Sequence, residues 1–226
     1  MKDLATLRCD LIGVAILAIG LPNAVPAQES HFSHEVGAGT IAYHYVGRVN
    51  LNFLNNTGVV YGYITDLAGI ATASSLFRGT PSESTALMTF RADISFQPLP
   101  GNGALGNGQF AVSPALVSPG TYQIYFTQSP AHDWSDPNTF SNGQIIATLA
   151  RGLEQFSVLG TTLQNVGSAV LKSSVPFPVN GQNTDLSSLI PNGSTNITTA
   201  PVIALPGSMA TAPVFAFSGY ALAIGR

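Results

Sequence analysis

The sequence predicts an all-β fold, in which about 8–10 strands form a single antiparallel β-barrel or β-sandwich with long Pro/Gly-rich loops. Three observations lead to this prediction. Several segments alternate apolar and polar residues with a period of two, which is typical of strands with one buried face. The chain holds 23 Gly and 15 Pro without a fixed repeat, which indicates many turns. The spacing of strand-helix-strand units, typical of parallel sheets, is absent from the sequence.

The clearest alternation runs from residue 39 to 53 and again from 85 to 97. In the first segment, Tyr43, Tyr45 and Val49 share one face, and Gly47 between them predicts a bend or a bulge. In the second segment, Phe90 and its alternate neighbours are expected to face the core. The opposite, polar face of this second segment carries Thr89, Arg91, Asp93 and Ser95.

Further strands are predicted at residues 59–65, 109–113, 121–127 and 214–224. Residues 143–156 fit a helix face as well as a period of two, and a strand is favoured because the neighbouring segments are strands. Residues 128–142 are predicted to form a polar loop, and residues 178–206 a loop or an extended edge.

The N-terminus has the anatomy of a secretory signal peptide. Lys2 and Arg8 precede an apolar run from Leu11 to Leu21, and the small residues Val25 and Ala27 suit a cleavage site. We therefore expect residues 1–27 to be a signal peptide and residues 28–226 to form a single β domain that is secreted or periplasmic. The only cysteine, Cys9, would leave with the signal peptide.

The composition argues against several classes of partner. Only 8% of the residues are charged and the net charge is −3, so clusters of Lys and Arg that could neutralise phosphates are absent from the sequence. We expect that the protein has no nucleic-acid partner and no cofactor, and that it is not an integral membrane protein after processing. An outer-membrane barrel would also alternate, but the long Pro/Gly-rich loops argue against it.

The first candidate site is the polar face that bears Arg91 and Asp93, with Glu83 close by in the sequence. Arg91 and Asp93 are two residues apart on a predicted strand, so both side chains project to the same side. If that face lines a barrel interior, the arginine and its carboxylate partners would orient a polar group of a ligand. If it faces solvent, they form an ordinary surface pair that contributes little.

The second candidate site is the loop that contains His132 and Trp134. It combines the only Trp of the chain with one His and two carboxylates, Asp133 and Asp136, a composition suited to a sugar or an ion. Asp and Pro are also ordinary turn residues, and a Trp can simply attach a loop to the core. His31 and His34 near the expected mature N-terminus are interpreted as a polar leader, so no metal site is predicted.

The sequence favours a protein that binds a small apolar or weakly polar ligand, because aromatic residues recur at inward positions and standard catalytic motifs are absent from the sequence. One alternative is a barrel-type cyclase or isomerase, in which one arginine or carboxylate and a shaped pocket suffice. The other is a structural or adhesive surface protein, which the low charge and the Ser, Thr and Asn content would suit. No catalytic residue is assigned, and whether the protein is an enzyme stays open.

Overall fold

A computed structural model describes residues 36–52, 54–69, 73–97, 110–112, 115–116, 120–159, 162–201 and 214–225. Within these residues nearly all regular structure is β. The strands are β1 (Ile41–Asn52), β2 (Thr57–Leu67), β3 (Met88–Gln97), β4 (Phe110–Val112), β5 (Ala115–Leu116), β6 (Thr121–Phe126), β7 (Gln144–Leu159), β8 (Thr162–Ser174), β9 (Phe177–Val179), β10 (Gln182–Thr184), β11 (Ser194–Pro201) and β12 (Val214–Ala223). The helices are α1 (Leu186–Leu189) and three 3-10 helices, Ala73–Leu76, Glu83–Thr85 and Pro137–Ser141.

Eight of the strands close into an antiparallel barrel. The order around the barrel is β1, β2, β3, β6, β7, β8, β11 and β12, and β12 pairs with β1 to complete the circle. Each barrel strand therefore pairs with the next barrel strand in the chain, which makes an up-and-down barrel. The predicted all-β antiparallel fold is confirmed, and the open choice between barrel and sandwich is decided for the barrel.

The short strands lie outside this circle. β4 pairs with β7, β5 pairs with β3, and β9 and β10 form a separate hairpin. The ambiguous region from 143 to 156 lies mostly in β7, which confirms the strand interpretation. The predicted loop or edge at 178–206 is wrong in part, because this region contains β10, α1 and the barrel strand β11.

The two ends of the barrel differ. At the end where β1 begins, called the plugged end, large apolar side chains fill the interior and the connections close over them. These side chains are almost completely buried, and they are Leu67, Leu76, Met88, Ile146, Phe177, Leu186 and Ile190. Burying each such side chain typically stabilises a fold by about 1.5–3 kcal/mol. At the other end, called the cavity end, β1 stops at Asn52, and the described residues surround a cavity.

Of the bend or bulge expected at Gly47, the strand register shows no bulge. The register of β1 against β2 shifts between His44 and Tyr45, whereas Gly47 pairs regularly with Gly62. A Cβ at position 47 would lie 2.4 Å from Cζ of Phe217, a distance that real contacts do not reach. The glycine is therefore explained by the aromatic ring of β12 that lies against the inner face of β1.

The outer wall of β2 and β3 is covered by the loop at residues 127–142, which includes the 3-10 helix Pro137–Ser141. Thr89 lies on this outer face but is fully buried, and its hydroxyl donates a hydrogen bond to the carbonyl of Phe140 at 2.8 Å. Thr89 is therefore buried although it lies on the polar face of this strand, because a loop distant in sequence packs over it.

Candidate functional site

A β-bulge in β7 turns two charged side chains into the barrel. Arg151 pairs with Ala169 of β8 and Glu154 pairs with Gly167, so three steps along β7 oppose two steps along β8. In a regular strand, residues three apart point to opposite faces. The extra residue of the bulge cancels this alternation, so that Arg151 and Glu154 both line the interior cavity.

Arg151 and Glu154 form a buried ion pair. Nε of Arg151 donates to Oε1 of Glu154 at 2.9 Å, and Nη2 contacts the same oxygen. Each side chain is only 9% exposed. Nη1 of Arg151 and Oε2 of Glu154 have no hydrogen-bond partner among the described residues. The pair thus carries one donor group and one acceptor that are buried and have no partner among the described residues.

The cavity around this pair has a volume of about 150 Å³. Its walls are mainly apolar, with aromatic rings at the boundary to the plugged end. Tyr45, Phe90, Tyr122 and Phe217 form this aromatic layer, in which the ring centroids of Tyr45 and Phe90 are 5.7 Å apart and those of Phe90 and Tyr122 are 5.4 Å apart. Toward the cavity end the lining is aliphatic and aromatic, with Val49, Leu51, Val60, Ile94, Leu163 and Phe215.

A few polar groups interrupt the apolar lining. Asn165, Asn196 and Thr198 border the cavity, and Oδ1 of Asn165 is a buried atom without a hydrogen-bond partner among the described residues. The hydroxyl of Thr198 is already engaged, because it lies 2.8 Å from the hydroxyl of Tyr45. An apolar space with a few convergent polar groups is the usual form of a small-molecule site.

Gly167 makes room for the carboxylate of the ion pair. A Cβ at this position would lie 2.8 Å from Cγ of Glu154. We expect Gly167→Ala to displace the Glu154 side chain and to lower the free energy of unfolding by about 1–3 kcal/mol, as overpacking usually does. Denaturant unfolding measures this, with Ser173→Ala on the exposed part of β8 as the control. Equal stability of the two variants would contradict the crowded position of Glu154.

Three tyrosine hydroxyls lie in or next to the aromatic layer, and burial changes their ionisation. Burial raises the pKa of Tyr43 to about 12, and the hydroxyls of Ser194 and Tyr122 offset part of this effect. Burial likewise raises the pKa of Tyr45, despite its hydrogen bond with Thr198, and raises the pKa of Tyr122 well above its usual range. All three are therefore neutral near pH 7 and add no charge to the cavity.

These raised pKa values predict alkaline unfolding. Above about pH 10 the unfolded chain loses the tyrosine protons that the folded barrel still holds, so the free energy of unfolding falls by up to about 1.4 kcal/mol per pH unit for each tyrosine. Tyrosinate absorbance and far-UV circular dichroism, recorded together from pH 9 upward, should show these tyrosines ionising only as the strands unfold. Tyr122→Phe should make the free energy of unfolding fall less steeply as the pH rises. Complete ionisation with an intact dichroism spectrum would contradict the burial.

The residues singled out from the sequence lie elsewhere. Arg91 and Asp93 pair on the outer face of β3, where Nη1 and Nη2 of Arg91 donate to the carboxylate at 3.1 and 2.9 Å. Their side chains are 22% and 69% exposed, whereas the alternate residues Phe90 and Ala92 face the cavity. Glu83 lies in the 3-10 helix between β2 and β3, at the plugged end. The pair is thus a surface pair, and its role in binding stays a prediction.

The loop with His132 and Trp134 packs onto the outer wall of the barrel. The Trp134 ring contacts Phe140 at 4.8 Å and Tyr61 and Tyr63 at 5.8 Å between centroids, and Arg48 lies 4.7 Å from its centre. His132 is buried, with Nδ1 2.7 Å from the carbonyl oxygen of Thr139. These contacts attach the loop to β1 and β2. A binding role for the loop stays a prediction.

His31 and His34 lie outside the described residues, and within the described ranges no three His, Cys, Asp or Glu side chains lie close enough together to hold a metal ion. No helix in the part of the chain that the structure describes is long and apolar enough to cross a membrane.

Sequence reasoning missed Arg151 and Glu154. The sequence held one signal: two charged residues lie within a largely apolar strand, in a chain with only 8% charged residues. The alternation rule assigns them to opposite faces, so only the bulge brings them together.

Comparison with known proteins does not assign this chain to a group. It matches no family model, no curated protein and no solved structure.

Proposed function

We propose that the protein binds a small, largely apolar molecule inside the barrel, with the polar end of that molecule on Arg151 and Glu154. The observation that carries this proposal is the cavity of about 150 Å³ beside a buried ion pair with two unpartnered polar atoms. Eight-stranded barrels are just wide enough to be filled by side chains or to hold one small ligand.

The energetics of the cavity favour a ligand over a purely structural role. Apolar surface that the ligand and the cavity walls remove from water contributes about 25 cal/mol per Å² to binding. Nη1 of Arg151 and Oε2 of Glu154 have no hydrogen-bond partner among the described residues, and a partner on the ligand contributes about 1–3 kcal/mol for each. A ligand with an apolar body and one polar group makes both contributions at once. The aromatic walls formed by Phe90, Phe215 and Phe217 suit a flat or ring-shaped body.

The first test is thermal unfolding of the full chain with and without toluene, a probe small enough for the cavity. A ligand that binds only the folded state at 100 times its Kd stabilises that state by about 2.7 kcal/mol. We expect toluene to raise the Tm of the natural protein but not of Ala92→Leu, which fills the cavity from β3. Ala216→Leu, the same enlargement at an exposed position of β12, should respond like the natural protein. The same response in Ala92→Leu would refute an interior site.

A second candidate function is a cyclase or isomerase that uses the same cavity. It is supported by the free oxygen Oε2 of Glu154, because a carboxylate held in an apolar site can accept or return a proton during a rearrangement. The test is mass spectrometry and chromatography of the molecule recovered from natively purified protein and of the same molecule after renewed incubation. Conversion to an isomer supports catalysis, whereas unchanged recovery supports binding. An adhesive or structural role rests on composition and stays a prediction.

We also propose that the protein is exported and cleaved after Ala27. The support is the sequence pattern of residues 1–27, which lie outside the described residues. We expect the exported product to begin at Gln28, and intact-mass measurement with N-terminal sequencing checks this. A mature product that retains residues 1–27 would contradict both the cleavage and the localisation.

A further inference from the structure

We infer that the polar end of the ligand is an uncharged group that donates and accepts hydrogen bonds at once, and that a primary carboxamide fits the site best. This inference rests on the proposed function. It follows from the charge, the hydrogen-bonding capacity and the size of the cavity, each of which restricts the ligand independently.

The charge of the site excludes ionic ligands. Among the described residues that line the cavity, Arg151 and Glu154 are the only Lys, Arg, Asp or Glu side chains, and they neutralise each other. A carboxylate ligand would face Arg151 but would lie beside Glu154, and an ammonium ligand would face Glu154 but would lie beside Arg151. Either ion would be a third buried charge without a counter-charge of its own, which is strongly unfavourable.

The free polar atoms define what the ligand must offer. Nη1 of Arg151 needs an acceptor, while Oε2 of Glu154 and Oδ1 of Asn165 each need a donor. A primary carboxamide carries one carbonyl acceptor and two N–H donors, so it offers each kind of partner that these atoms lack. An alcohol supplies one donor only, and a ketone supplies none, so each would leave a buried acceptor without a partner.

The volume and the walls limit the rest of the ligand. An apolar protein cavity of about 150 Å³ holds a molecule of the size of benzene, and this cavity has that volume. Phe90, Phe215 and Phe217 line it, so an aromatic ring finds ring contacts on its walls. Benzamide combines the ring with a primary carboxamide and is therefore the probe of choice.

The test compares four probes of one shape on the natural protein at pH 7. Benzamide is neutral, benzoate is an anion, benzylamine is a cation and toluene lacks the polar group. Isothermal titration should show benzamide binding at least 10-fold tighter than each of the other three. Benzoate or benzylamine binding as tightly as benzamide, or toluene doing so, would overturn the inference. Absence of binding by all four, toluene included, would instead refute the proposed function.

Two single substitutions test the charge argument within the same site. Glu154→Gln leaves the charge of Arg151 uncompensated, so benzoate should gain at least 10-fold in affinity and replace benzamide as the preferred probe. Arg151→Gln should produce the same change in favour of benzylamine. The matched controls, Asp66→Asn on β2 and Lys172→Gln on β8, each remove one exposed charge and should leave all affinities unchanged.

Either substitution in the ion pair is sufficient for this test. If one variant fails to fold, as judged by circular dichroism, the other variant and the probe series on the natural protein still decide the question. A folded Glu154→Gln or Arg151→Gln protein that keeps the original order of affinities would overturn the inference.

Discussion

Glu154→Ala is expected to lower the free energy of unfolding by about 3–5 kcal/mol, because it leaves the buried Arg151 without its counter-charge. The double variant Arg151→Met with Glu154→Leu should be as stable as the natural protein or more stable, since apolar side chains of similar volume avoid the desolvation of two charges. Both side chains are only 9% exposed, so solvent screens the pair little. Chemical denaturation with matched m-values measures the differences.

The matched control for this experiment is Asp93→Ala, which removes the carboxylate of the exposed pair on β3. That loss should stay below about 1 kcal/mol, because exposed ion pairs contribute little. A double variant as unstable as Glu154→Ala would contradict the expectation that apolar side chains can replace the ion pair without loss of stability. A small effect of Glu154→Ala would show that Arg151 is solvated within the cavity.

Phe90→Ala is expected to cost about 3–5 kcal/mol through lost burial and the added cavity. Phe90 is 1% exposed and lies at the centre of the aromatic layer, with ring contacts to Tyr45, Tyr122 and Phe217. Because it also lines the cavity, the substitution enlarges the binding space and should weaken binding of benzene-sized probes. Thermal and denaturant unfolding measure the stability, and titration with toluene measures the binding.

Substitutions at two other positions on β3 give stability losses with which the loss for Phe90→Ala can be compared. Ser95→Ala, at an exposed position of the opposite face, should change stability by less than about 0.5 kcal/mol. Thr89→Ala should cost about 1–3 kcal/mol despite lying on that same face, because it leaves the carbonyl of Phe140 without the donor of a buried hydrogen bond. Equal losses at positions 90 and 95 would contradict the assignment of the inner face.

The faces of the strands could be predicted from sequence because period-two alternation is a local property. Tyr43, Tyr45 and Phe90 face inward as their spacing indicates, and the small residues of β12 line the interior in the same way. Thr89 departs from the pattern because burial on the outer face depends on where the loop at 127–142 packs. That packing joins residues 51 positions apart in the chain, and alternation carries no information about it.

The sequence by itself determined the class of this protein, antiparallel strands, and the inner faces of β1, β3 and β12. The tertiary structure decided where a ligand could be held. Closure of β12 onto β1 turned the sheet into a barrel with an interior, and strand periodicity does not encode closure. The bulge in β7 then brought Arg151 and Glu154 to one face. Pairing across two strands sets that register shift, so the charged site depends on contacts that a single strand does not contain.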